Sequence, residues 1–266
     1  MSEVSPQAAS AAVSILKREG KPDLAYVYVP PRADKNSWPL VMFCGGYRSD
    51  MNGTKAIYLQ EQCEARGQGF VRFDYSGHGL SEGHFDEGTI GAWMNDALDI
   101  LDYVARGPVL IVGSSMGGWM ALLIARARAG RVQGVVGIAA APDFSEDLFS
   151  RLSPEQQEEM MSEGFVKVPN DYSDEPYHYS RSFYEEAKTH LLLENPQNID
   201  FPIRLIQGMK DNDVPWETAV RIQKNYSGGD VDIVFVDDGD HRLSRPEDLE
   251  LIDREVQNLS EMVARE

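Results

Sequence analysis

The chain is poor in cysteine, in basic residues and in long apolar runs, and each shortage removes a class of protein. Two cysteines in 266 residues cannot build a disulfide framework. Cys44 falls at the end of an apolar run that reads as a buried strand, and Cys63 lies in a helical pattern. The longest apolar run, near residues 135–141, falls far short of the ~18 residues that a membrane-spanning helix needs. Integral membrane association is therefore not expected. With 25 basic against 43 acidic residues, the net charge of −18 opposes binding to phosphate backbones and anionic lipid, so nucleic acid is excluded as an expected partner. Residues 1–20 carry Glu3 and no basic segment followed by an apolar stretch, so neither a secretory nor an Arg-rich transit pattern is visible. A cytoplasmic location is the resulting expectation.

What the chain does have is a steady alternation of strand-like and helix-like segments. Strands are expected near residues 12–17, over 24–30, 39–44, 69–75, 109–113, 132–139, 202–207 and 231–236. Helices are expected over 54–66, 90–106, 116–129, 216–225 and 246–264. Such alternation builds a mostly parallel central sheet flanked by helices, whose ligand sites lie at the carboxyl ends of the strands. Length fits one domain, residues 1–266. Between 143 and 200 the alternation breaks into polar and aromatic helix-like pieces, read as a helical cap inserted into that domain. Its Phe149, Phe165, Tyr172, Tyr177, Tyr179, Phe183, Tyr184 and the leucines at 191–193 could roof an acyl chain or simply pack the cap onto the core.

One motif carries the chemistry. The apolar strand at 109–113 runs into Gly113-Ser114-Ser115-Met116-Gly117 and then a helical pattern, which is a GxSxG turn in the strand-to-helix context it requires. Gly113 and Gly117 would let neighbouring backbone approach a nucleophile on a strained turn, and Ser115 is that candidate. A serine hydroxyl needs a base, and the chain has five histidines. His241 follows the last strand and is the candidate. His78, His84, His178 and His190 lie in loops or the cap, where surface, structural or substrate-contact roles fit them better. The carboxylate that orients the base is expected at Asp211, just after the strand ending at residue 207, with Asp213 as its rival. For the oxyanion, the amides of Met116 and of Tyr47, which follows Gly45 and Gly46, are the candidate donors; Gly46 is the position at which this can be tested. The Gly-rich run FDYSGHGLSEG at 73–83 lacks the spacing of a P-loop or a dinucleotide fingerprint, and neither cofactor nor metal is expected.

The GxSxG turn, the DYSGHGLS loop and the late GDH together resemble the α/β-hydrolases of the serine esterase kind. More closely, CGGYRSDMNGTKA, RFDYSGHGLSEG, VGSSMGGWM, PIRLIQGMKDNDVPW and DHR are similar to the mitochondrial α/β-hydrolase-domain palmitoyl-protein thioesterases and acyl-glucuronide esterases. That resemblance implies the α/β-hydrolase fold, a catalytic triad on Ser115, Asp211 and His241, and a carboxylic ester or acyl-thioester as substrate, either a small molecule or an acylated protein. Acyl transfer to another acceptor, other chemistry on the same fold, and a non-catalytic ligand sensor remain the alternatives, because fold alone does not decide reaction.

Overall fold

A computed structural model describes residues 12–169 and 176–265. The described strands are β1 (Val13–Leu16), β2 (Leu24–Val29), β3 (Leu40–Cys44), β4 (Phe70–Phe73), β5 (Val109–Ser114), β6 (Val132–Ile138), β7 (Phe165–Val168), β8 (Tyr177–Ser180), β9 (Gln197–Asn198), β10 (Ile203–Gly208), β11 (Tyr226–Ser227) and β12 (Val231–Val236). The α-helices are α1 (Thr54–Arg66), α2 (Ile90–Tyr103), α3 (Met116–Ala127), α4 (Phe144–Arg151), α5 (Pro154–Glu163), α6 (Arg181–Ala187), α7 (Glu217–Asn225) and α8 (Pro246–Val263).

Eight strands form one sheet in the order β1-β2-β4-β3-β5-β6-β10-β12. β1 pairs with β2, and β2 with β4, antiparallel; every later pairing in the sheet is parallel. This is the mostly parallel, helix-flanked sheet of the α/β-hydrolase fold that the alternation implied. The central strands β3 and β5 are buried at every position, as unbroken apolar runs must be when helices cover both faces. α3 is apolar nearly all round, with residues 116–125 buried, because it is wedged between the sheet and its neighbours. Trp93 of α2 and Trp119 of α3 are fully inaccessible and anchor the larger core cluster.

Between β6 and β10, described residues of the chain, among them Phe144, Leu148, Val168 and Tyr179, line a cavity that also holds Ser115, which follows β5. This segment is less helical than its sequence suggested: β7 and β8 form an antiparallel ribbon, with Val166 opposite Tyr179 and Val168 opposite Tyr177. The difference has a simple cause, since FVKV and YHYS are too short to show a period and only their pairing makes them strands. α5 opens on a capping box, with the Ser153 hydroxyl accepting from the Gln156 amide and the Gln156 side chain accepting from the Ser153 amide. The segment holds a small apolar cluster of its own, built on Leu152, Met160, Val166, Tyr179 and Tyr184, while Phe183, Ala187 and Leu192 join the main core. Tyr172 lies outside the described residues.

Candidate active site

Ser115 joins β5 to α3 with φ 55° and ψ −120°, a conformation that L-residues adopt only when the surroundings enforce it. Three backbone hydrogen bonds do so: the Ser115 amide donates to Ile138 at 2.9 Å, and its carbonyl accepts from Gly118 at 2.8 Å and Ala141 at 3.1 Å. The flanking glycines are required by close approach. A Cβ on Gly117 would stand 2.0 Å from the Cys44 carbonyl oxygen, and one on Gly113 would stand 2.2 Å from the carbonyl oxygen of Gly117.

Three distant segments meet at this turn. His241 Nε2 lies 3.1 Å from the Ser115 Oγ, and its Nδ1 lies 2.8 Å from Oδ2 of Asp211. With the proton on Nδ1 donated to the carboxylate, the lone pair of Nε2 faces the serine hydroxyl, the arrangement that proton abstraction needs. The Asp211 side chain is wholly buried and that of His241 is 18% exposed. A buried carboxylate must be surrounded by donors. Oδ1 accepts from the amides of Asp213 at 2.9 Å and Val214 at 2.8 Å, and Oδ2 accepts from Gln207 Nε2 at 3.1 Å as well as from His241. Asp211, Asp213 and His241 lie close enough to suggest a cation site. Four N–H donors on Asp211, however, already take up the carboxylate lone pairs that a cation would need. Between the two rival carboxylates, it is Asp211 that faces the imidazole, while Asp213 is exposed.

The other four histidines lie away from Ser115. His78 is buried, its Nδ1 donating to the Ser76 carbonyl at 3.2 Å, and burial pushes its pKa down to about 4. His84 and His178 are exposed, and His190 pairs with Glu186 at 2.7 Å. The DYSGHGLS loop serves as a brace: the buried Asp74 accepts from Met51 at 2.6 Å and Leu80 at 2.8 Å, so one carboxylate ties the loop after β4 to the loop after β3.

Met116 is the first residue of α3, where helical amides have no intrahelical acceptor and the helix dipole favours negative charge. Tyr47 sits in the loop after β3, and among the described residues its amide makes no hydrogen bond. Gly46 stands next to Ser115, since a Cβ built on it would lie 3.4 Å from the Ser115 Cβ. Ser115, His241, Met116 and Tyr47 all line one cavity of about 620 Å³. Phe144, Leu148, Leu152, Val168 and Val214 make part of its wall apolar, and Lys55 and Arg242 add charge.

Two positioning contacts were not foreseen. Gln207 is a polar residue inside the apolar strand Ile203–Gly208, a signal that was available and not used. Lys55, on the first turn of α1, donates from Nζ to the carbonyl of Arg242, the residue after His241, and burial pushes its ammonium down to about 8. Nothing in the local sequence announces that long-range contact.

The sequence pattern of the Alpha/beta hydrolase family matches residues 54–250. The chain belongs to the alpha/beta hydrolase family. The hydrolase is 40% identical over 242 residues to the human protein named palmitoyl-protein thioesterase ABHD10, mitochondrial, a match covering 91% of this chain and 78% of the relative. Its fold superposes on mouse alpha/beta hydrolase domain-containing protein 10 with a TM-score of 0.88 at 38% identity, over 95% of this chain and 100% of the other. It superposes equally, at 0.88 and 34% identity, on a putative hydrolase from Agrobacterium vitis S4, over 94% of this chain and 98% of that one. The bovine, human and mouse relatives are each named as mitochondrial, and that finding overturns the expected cytoplasmic location. The physical reason is that a folded hydrolase domain carries no address, so the composition of residues 1–20 was a weak basis for one.

Proposed function

We propose that the chain hydrolyses acyl thioesters and carboxylic esters through Ser115, His241 and Asp211. The observation that carries this reading is the continuous line from hydroxyl to imidazole to buried carboxylate, with contacts of 3.1 and 2.8 Å. His241 takes the Ser115 proton as Oγ attacks the acyl carbonyl, and the amides of Tyr47 and Met116 receive the oxyanion. His241 then protonates the departing thiolate or alkoxide. A water, deprotonated in turn by His241, attacks the acyl-enzyme and releases the acid. Asp211 holds the Nδ1–H tautomer and stabilises the imidazolium throughout. No step calls on a metal or an organic cofactor.

The apolar wall of the cavity supports an acyl substrate, and the 40% identity to palmitoyl-protein thioesterases supports a thioester carrying a long chain, whether on a small molecule or on a protein. We read residues 1–266 as one catalytic domain with residues 143–200 as its cap. The test uses a fluorophosphonate probe, p-nitrophenyl esters of graded chain length and an acyl-thioester. Labelling and turnover are expected in the native protein, and Ser115→Ala is expected to lose both while keeping its circular dichroism. Labelling that survives in Ser115→Ala, or native protein inert to all three reagents, would overturn the reading.

A further inference from the structure

The Tyr47 ring lies where the main core and the cap meet. On the core side it packs edge-on against Phe85, with centroids 4.9 Å apart, and against Trp93 at 5.9 Å. On the cap side it is stacked on Tyr179 at 5.6 Å and 22°, and meets Tyr177 edge-on at 5.9 Å. The alternation of β8 places both tyrosines on one face, whereas His178 between them is exposed and stacks on Phe165. The next residue of the loop, Arg48, has φ 56°, and its guanidinium lies over Phe85 at 4.4 Å and Tyr177 at 5.5 Å.

A non-glycine residue at positive φ persists only where its surroundings over-determine it. Around Arg48 those surroundings are the Phe85 ring, the Tyr177 ring from the cap, and the Asp86 carboxylate, 3.6 Å from the guanidinium. The Tyr47 amide has no backbone acceptor of its own among the described residues, but it shares a planar peptide group with the Gly46 carbonyl, which accepts from the Ser49 amide at 3.2 Å and the Ser49 hydroxyl at 2.9 Å; its direction is therefore set by that carbonyl on one side and by the clamped Tyr47 ring on the other.

We propose that Tyr179 of the cap is a positioning residue for the oxyanion hole: by stacking on the Tyr47 ring it aims the Tyr47 amide, so the cap acts on acyl transfer itself as well as on substrate capture. This rests on the reading of Ser115 as nucleophile and Tyr47 as oxyanion donor. Such donors tolerate little error, since losing one costs about 10²- to 10³-fold in turnover and a misplacement of about 1 Å can cost about 10²-fold.

The simpler role for Tyr179 is that it only walls the acyl cavity, which it also lines. The two roles separate on an acyl group too short to extend along the cap. kcat and KM are measured with p-nitrophenyl acetate and p-nitrophenyl octanoate for native protein, Tyr179→Leu and Tyr179→Phe, alongside thermal melts. Tyr179→Leu is expected to lower the acetate kcat about 10-fold or more with KM little changed, part of the ~10²-fold or greater cost of a lost donor. Tyr179→Phe, which keeps the ring, is expected to recover most of that loss. Tyr47→Leu removes the other half of the stack and should reproduce the loss, which keeps the test open if Tyr179→Leu does not fold. Acetate kcat unchanged in the leucine variants, with only the octanoate KM raised, would overturn the proposal. Native protein left unlabelled at Ser115 by the fluorophosphonate would instead overturn the functional reading beneath it, and the proposal with it.

Discussion

Gln207 donates from Nε2 to Oδ2 of Asp211 at 3.1 Å, the same oxygen that accepts from Nδ1 of His241 at 2.8 Å. One carboxylate oxygen thus links the imidazole to a side chain that is itself 1% exposed and further tied to the Val214 carbonyl at 3.1 Å. Gln207 thus helps hold the carboxylate against which the His241 imidazole rests. Gln207→Leu preserves the strand but removes a hydrogen bond to a buried charge, an interaction of about 1.5–3 kcal/mol. Turnover of a p-nitrophenyl ester is expected to fall about 10- to 100-fold with the melting transition retained. Native kinetics in this variant would show that Asp211 needs no help in holding its place.

Asp211→Asn and Asp213→Asn should differ sharply. Asparagine at 211 keeps the shape but can present an N–H where His241 needs an acceptor, favouring the wrong tautomer, and such a change costs about 10⁴-fold in kcat in a triad of this kind. Asp213 is exposed, and its asparagine variant is expected to stay within about 10-fold of native turnover, since surface substitutions act weakly. The reverse ranking in steady-state assays would transfer the orienting role to Asp213.

Alanine at two glycines should separate folding from chemistry. At Gly117 the added Cβ would stand 2.0 Å from a backbone oxygen that cannot swing aside, so Gly117→Ala is expected to lose about 3 kcal/mol or fail to accumulate as soluble protein. At Gly46 the nearest atoms are 3.4 Å away, among them the Ser115 Cβ. Gly46→Ala is therefore expected to melt near the native temperature yet turn over more slowly, because the methyl group encroaches on Ser115. Denaturation midpoints and kcat, measured on both variants, check the contrast.

Acid stability should report on His78. Burial holds this imidazole neutral, with its pKa lowered from 6.5 to about 4, so the unfolded chain takes up a proton that the folded chain refuses. The stabilisation is complete above pH 6.5 and is lost as pH falls from there to about 4. At 1.36 kcal/mol per pH unit over that interval, the loss amounts to about 3 kcal/mol. Urea unfolding between pH 7 and pH 4 should show a decline that is shallower in His78→Gln by about that amount. Parallel curves for the two proteins would contradict the neutral, buried imidazole.

The strand and helix order was legible in the sequence because core strands and amphipathic helices must carry apolar residues at their own periods. The turn around Ser115 was legible for a steric reason: Gly113 and Gly117 are the residues a tightly packed strand-to-helix corner demands. β7 and β8 were not, since strands of four residues acquire their character from pairing with each other. Nor was the cytoplasmic expectation sound, because it was drawn from a pattern that was missing rather than from one that was present.

Sequence by itself determined the residue types, their order along the chain and the corner on which Ser115 sits, all matters of local sterics and periodicity. Only the tertiary structure decided that Asp211 rather than Asp213 faces His241, that Gln207 and Lys55 hold the two loops that bring them there, and that the Tyr47 ring meets Tyr177 and Tyr179 of β8. Apart from the Gln207–Asp211 bond, which spans four positions, these contacts join segments remote in the chain, with 30 positions separating Asp211 from His241 and 187 separating Lys55 from Arg242. Distances of that kind are set by how whole layers pack, and no local pattern encodes them.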